Sequence, residues 1–183
     1  MRNFWRIRTR SAGMTLTDLA TVLSIVGTLG AIGMPGILGG INRAGVDGAS
    51  RRLTEDIRLT QSTALTKGAQ ARLIIFDQTG SVPAPTNLTD STKANMYRIE
   101  LRNGDSAPWP AIADNPGTNP NVLTPWNDLG SQYRGVVVTT GNALVFNSQG
   151  FLGNSAVALN IVVTGSAGTR TVQTSVIGKA TIQ

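Results

Sequence analysis

Residues 11–38 read SAGMTLTDLATVLSIVGTLGAIGMPGIL, and this stretch decides how the rest of the chain is organised. From Leu19 to Leu38 no residue carries a charge. A helix rising about 1.5 Å per residue carries a run of that length across a hydrocarbon core of about 30 Å. The expectation is a single transmembrane helix. Asp18 stands at the mouth of the run, and a carboxylate near a bilayer costs roughly 2.5–3.5 kcal/mol at helix centre on insertion scales, so it demands a partner. Gly27, Gly30, Gly33, Gly36, Gly39 and Gly40 recur through the run, and Pro35 interrupts it. Each glycine weakens a helix by about 0.8–1 kcal/mol relative to alanine. Small residues also allow close packing between membrane helices, so the ladder has two readings.

The flanks sharpen the picture. Arg2, Arg6, Arg8 and Arg10 precede the run with no acid among residues 1–13, and a basic segment beside an apolar one stays on the cytoplasmic side. The formal charge is +6, and removal of those residues leaves +2, so the basic pI near 10.8 is largely a property of the leader. A cleaved secretory signal is the rival, with Ala31-Ile32-Gly33 as its small-x-small site. Against it, Ser11 to Asp18 separates the basic and apolar regions with mostly polar residues and an acid, and helical patterning continues past the run. The 183 residues contain no cysteine and no histidine. Disulfide frameworks, thiolate metal sites and histidine-based catalysis or zinc binding are therefore excluded. No nucleophile and base stand at a recognised spacing, and an enzyme is not expected.

Ile41 to Thr66 extends the helix, with Ala49, Leu53 and Ile57 on one stripe and Arg51, Arg52, Glu55, Asp56 and Arg58 off it. Glu55 and Asp56 read as a solvated charged flank or as subunit contacts, and Gly68 as the C-cap. Beyond it come short β-branched runs at 71–76, 96–101, 135–140, 143–146, 156–163 and 169–176, then KATIQ. One long helix followed by antiparallel strands makes an α+β chain, with the C-terminal half of the helix packed on the sheet. The segments 78–94 and 103–134 read as long loops. Trp109 and Trp126 in the second are expected to fold back over the loop's own core. Asp105, Asp114, Asn115, Asn127 and Asp128 supply oxygen ligands of the type calcium takes, without a fixed-spacing motif. No other cofactor or metal is expected.

Gly13, then Met14-Thr15-Leu16-Thr17-Asp18, then an uncharged run reaching Pro35, resembles the class III leader of type IV pilins and type II secretion pseudopilins. The acid is fifth and the proline twenty-second after Gly13, the offsets of that family. Met14 replaces its usual phenylalanine and Asp18 its usual glutamate. The resemblance implies cleavage by prepilin peptidase between Gly13 and Met14, N-methylation of Met14, and Asp18 and Pro35 as subunit-assembly residues. Asp18 would then meet the terminal amine of a neighbouring subunit's Met14, an ion pair that selects register because an unpaired partner is penalised. Asp18 as a helix N-cap group is the alternative, and both roles can coexist. Family filaments often lose helicity here between about Gly27 and Pro35.

The resemblance divides the chain into a leader (1–13), a transmembrane and filament-core helix (14–40), an amphipathic extension (41–67) and a β-rich pilin domain (68–183). QSTALTKGAQARLIIF, LVFNSQGFLG and TVQTSVIGKATIQ are similar to the H-type pseudopilin and T-type minor pilin group. The implied function is a minor pilin or pseudopilin, a structural subunit of a type IV pilus or type II secretion pseudopilus. Its implied partners are prepilin peptidase, other pilin subunits and the inner-membrane assembly platform. The implied site is the bacterial inner membrane, with a cytoplasmic N-terminus and a periplasmic C-terminal domain, then the filament. The alternative is a DNA-binding minor pilin for DNA uptake. Some relatives bind DNA through a tail of glycine-arginine-x-arginine type; here Gly178-Lys179-Ala180-Thr181 keeps one cation, and Arg170 and Arg134 would have to add to it.

Overall fold

The computed structural model describes residues 14–183 apart from 84, 85, 105, 154, 156 and 157, and leaves the side chains of 33 and 35–37 undescribed. Helix α1 runs Leu16–Lys67 over 52 residues. Thr15 starts it as a capping box: its hydroxyl accepts from the Asp18 N–H at 3.2 Å while the Asp18 carboxylate accepts from the Thr15 N–H at 3.0 Å. Gly68 ends it in the left-handed region at φ +59°. The Gly68 N–H donates to the Leu65 carbonyl and the Ala69 N–H to the Ala64 carbonyl, a Schellman stop at the expected position. The backbone stays helical through Gly27 to Pro35.

The chain divides into two compact units, residues 1–38 and Gly39–Gln183. The second holds the strands β1 (Gln70–Ile75), β2 (Ser81–Val82), β3 (Leu88–Thr89), β4 (Met96–Arg102), β5 (Asn127–Asp128), β6 (Val137–Thr140), β7 (Asn142–Phe146), β8 (Leu159–Gly165), β9 (Gly168–Thr174) and β10 (Ala180–Ile182), with a short helix α2 (Leu129–Gln132). They form two antiparallel four-stranded sheets, ordered β5-β4-β1-β7 and β10-β9-β8-β6, and a small β2-β3 hairpin. The α+β reading holds: Val46, Ala49, Leu53, Ile57 and Ala64 of α1 pack in one core with Leu73, Ile75, Ile99, Leu144 and Phe146 of the first sheet and Val138, Ile161, Val163 and Val172 of the second.

β1 is buried on both faces. Ala71, Leu73 and Ile75 meet the helix core, while Ile74 and the following Phe76 join Val82, Ala143, Leu88, Ile112 and Trp126 in a second cluster. The two expected loops are therefore not plain loops. Segment 78–94 contains the β2-β3 hairpin, and segment 103–134 contains β5 and α2 and covers the outer face of the first sheet with Ile112 and Trp126.

Two glycines set how closely α1 packs, Gly48 against Tyr133 at the end of α2 and Gly165 of β8 against Val46. A Cβ on Gly48 would lie 2.9 Å from Tyr133 Cε1, and one on Gly165 would lie 2.6 Å from Val46 Cγ2. Side chains at either position would push the layers apart, because a packed interior has no void to take them.

Candidate functional site

Met14 and Asp18 sit at the start of α1, both exposed, and the Asp18 carboxylate accepts from the Thr15 hydroxyl at 2.7 Å as well as from its N–H. Its capping role is thus realised. Gly13 and the arginines at 2, 6, 8 and 10 lie outside the described residues, as does the side chain of Pro35. Past the cap, Leu16, Leu19, Val22, Leu23, Ile25, Val26, Leu29 and Ile32 leave no side of the helix polar throughout. All eight are exposed by 47% or more. A helix apolar around its circumference belongs inside something. Among the described residues, no helix is long and apolar enough to cross a membrane; the expected span Leu19–Leu38 includes the undescribed side chains of 33 and 35–37. Within the run the hydroxyls of Thr21, Ser24 and Thr28 donate to carbonyls at Thr17, Ala20 and Ser24, which hides their polarity in the helix itself.

The two candidate DNA cations are not brought together. Arg170 in β9 donates through Nε to the Asp47 carboxylate of α1 at 2.9 Å, so its charge is matched. Lys179 lies in the turn between β9 and β10, opposite Ser175. Five residues of strand separate the two levels, about 17 Å at 3.4 Å per residue. Arg134 is exposed.

The calcium candidates are occupied locally. Asp114 accepts from the Ala111 N–H at 2.9 Å and from Asn119 Nδ2 at 2.8 Å. Asn115 accepts from the Gly117 N–H, and Asp128 caps α2 through the Gly130 and Ser131 N–H groups. Asn127 Nδ2 donates to the Pro125 carbonyl. Asp105 lies outside the described residues, and among those described no cluster of three His, Cys, Asp or Glu side chains forms. The donors from Asn119 and Ala111 hold the Asp114 carboxyl below the usual aspartate value.

One expectation is corrected. Asp56 is no solvated flank: it is buried, accepts from the Tyr97 hydroxyl at 2.6 Å and pairs with Arg52 Nε at 3.1 Å. Helical spacing explains this, because Asp56 lies next to Ile57 and three residues after Leu53, at the border of the apolar stripe. Burial, then the bond to Asp56, pushes the Tyr97 phenol well above its ordinary range, so it remains a donor. Glu55 is exposed as expected.

A second buried polar group was not anticipated. Glu100, 1% exposed, stands between Arg98 and Arg72 on the outer face of the first sheet. Arg98 Nε donates to Oε1 at 2.6 Å and Arg72 Nε to Oε2 at 2.9 Å. Arg98 reaches on to the carbonyls of Ala111, Ile112 and Asp114, tying the covering segment to the sheet. Both tryptophans fold back, not over a core of the loop's own but onto these arginines of the sheet: Arg98 lies 4.3 Å from the Trp126 ring centre and Arg72 4.4 Å from that of Trp109. Trp126 also packs on Phe76 at 5.5 Å between ring centres. The available signal is the spacing: Arg98 and Glu100 are two apart on a strand and share a face, and Arg72 interrupts an apolar run.

No protein-family model matches the chain, and no curated protein sequence matches it. Among solved structures, the chain is similar to two crystal forms of the type IV minor pilin FimU of Pseudomonas aeruginosa strain PAO1. One aligns with a TM-score of 0.45 and 12% identity, covering 75% of this chain and 91% of that one. The other aligns with a TM-score of 0.47 and 13% identity, covering 77% of this chain and 90% of that one.

Proposed function

We propose that the protein is a minor subunit of a type IV pilus or type II secretion pseudopilus, and that its work is assembly rather than chemistry. The observation that carries this reading is the start of α1, which exposes apolar side chains on all sides and carries one carboxylate, Asp18, at its N-terminal end. Such a helix is stable in water only when covered, first by lipid and then by equivalent helices of other subunits. The reading places residues 14–40 in the inner membrane before assembly, with the leader cytoplasmic and the two-sheet unit periplasmic. Prepilin peptidase cuts between Gly13 and Met14 and methylates the new amine, and that amine meets Asp18 of a neighbour. The assembly platform lifts the subunit out of the membrane.

Pilus and secretion filaments share these features, and the reading takes in both. DNA uptake is the weaker variant, because Arg170 is matched by Asp47 and stands far along β9 from Lys179. The test is to express the full chain with and without a prepilin peptidase and to determine its intact mass and N-terminal sequence. A product beginning with N-methylated Met14 supports the reading. A product starting after residue 33, or one still carrying Arg2 to Arg10 in the presence of the enzyme, overturns it.

A further inference from the structure

Asn103-Gly104 is the only Asn-Gly pair in the sequence, and it lies where β4 gives way to the segment that covers the first sheet. Both residues are exposed. Gly104 sits at φ +87°, and the space where a Cβ would stand is empty to 4 Å. Its carbonyl accepts from the Ala107 N–H at 3.4 Å, whereas its own N–H makes no backbone hydrogen bond among the described residues. Among the described residues the Asn103 carboxamide has no hydrogen-bond partner either, so none of them holds either reacting group.

Among the described residues, the other asparagines that precede a small residue are restrained: Asn142 accepts from the Ala143 N–H through Oδ1 and donates through Nδ2 to the Asn160 carbonyl. Asn147, which precedes Ser148, accepts from the N–H groups of Gln149 and Phe151 through Oδ1. A side chain fixed by such bonds cannot swing its carbonyl carbon onto the following backbone nitrogen. Asn115 and Asn119 each precede a proline, whose nitrogen has no hydrogen to lose and so cannot make this attack.

We propose that Asn103 is a site of spontaneous, self-catalysed modification in the folded protein. The deprotonated amide nitrogen of Gly104 attacks Asn103 Cγ, a C–N bond forms, and the Cγ–NH2 bond breaks with release of ammonia, giving a five-membered cyclic imide. Water then opens the imide. Addition at Cγ breaks the new bond and gives aspartate; addition at the main-chain carbonyl breaks the original peptide bond and gives isoaspartate, with the chain routed through the side chain. No oxidant or other co-reactant is needed. Glycine makes the attack feasible because it has no side chain to crowd the nitrogen and takes up the required backbone angles freely. The product carries a carboxylate one residue from Arg102, whose buried Nε has no hydrogen-bond partner among the described residues and whose guanidinium lies 4.9 Å from the Trp109 ring centre.

The experiment ages the purified full chain in detergent at mildly alkaline pH, folded and in urea, and follows the tryptic peptide 103–134 and the peptide spanning Asn147 by mass spectrometry with fragment-ion localisation. In the folded chain, the peptide 103–134 gains the mass difference between OH and NH2 at residue 103 and splits into aspartate and isoaspartate forms, while Asn147 stays unchanged until urea is added. Asn103→Gln, which would need a larger ring, loses the gain. Protection of Asn103 in the folded chain while the unfolded chain reacts would overturn the inference, as would reaction first at Asn121 or Asn127.

Discussion

Single side chains in this protein matter most where charge is taken out of water. Glu100 neutralises two buried guanidiniums at once, so Glu100→Gln leaves Arg72 and Arg98 buried with a neutral amide between them and no counter-charge. Breaking one partner out of a buried ionic group costs roughly 3–5 kcal/mol, and urea denaturation should report a loss of that order. Tyr97→Phe is milder. It removes one donor from the buried Asp56 carboxylate but leaves Arg52 in place, and an expected loss of about 1–3 kcal/mol follows from leaving an acceptor short of a partner. Asp114 adds a dependence on acid. Its carboxyl is held below the ordinary 3.8 by Asn119 and the Ala111 N–H, so the folded state binds its proton more weakly than the unfolded state does. The resulting stability is present above that ordinary value and is lost as pH falls below it through the folded value. The urea midpoint should drop on acidification through this range, and Asp114→Asn should flatten the drop.

At the scale of elements, turns and glycines decide whether the layers can meet. Gln61 Nε2 donates to the Gly150 carbonyl at 2.9 Å and to the Ile177 carbonyl at 3.2 Å, pinning two separate turns to α1. Gly178, at φ +83°, leaves the room for that amide, since a Cβ there would lie 2.2 Å from Gln61 Nε2. Gly178→Ala combines left-handed strain of about 1–2 kcal/mol with displacement of Gln61, so a loss above that range in a urea melt is expected. The strands themselves were legible because their β-branched runs are bounded by turn residues, and the helix end was legible because Gly68 follows its last periodic residues. What could not be read was the second layer over β4 and β1. Trp126 and Ile112 pack there from a segment whose prolines and asparagines look like loop, and no local pattern shows which sheet face such a segment covers. Asp56 was misplaced for a related reason: a carboxylate beside an apolar stripe looks solvated until Tyr97, 41 residues later, supplies its donor.

At the scale of the whole molecule, two roles compete for Asp18, and substitution chemistry can separate them. The capping box needs only an oxygen that accepts from Thr15, whereas an ion pair with a neighbour's terminal amine needs the negative charge. Asparagine at 18 keeps an acceptor of nearly the same reach and removes the charge; alanine removes both. If capping were the whole task, Asp18→Asn would enter filaments like the parent chain, and Asp18→Ala would lose only its own half of the capping box, because Thr15 still accepts from the backbone N–H of residue 18. The assembly reading gives a different pattern. Both variants should be cut at Gly13 and remain in the membrane, since neither change touches the cleavage bond, yet both should be missing from sheared filaments. Immunoblots of the membrane and sheared fractions decide the matter, with Asp18→Glu as the control that restores charge. Filament entry by Asp18→Asn at the parent level would leave Asp18 a cap and nothing more.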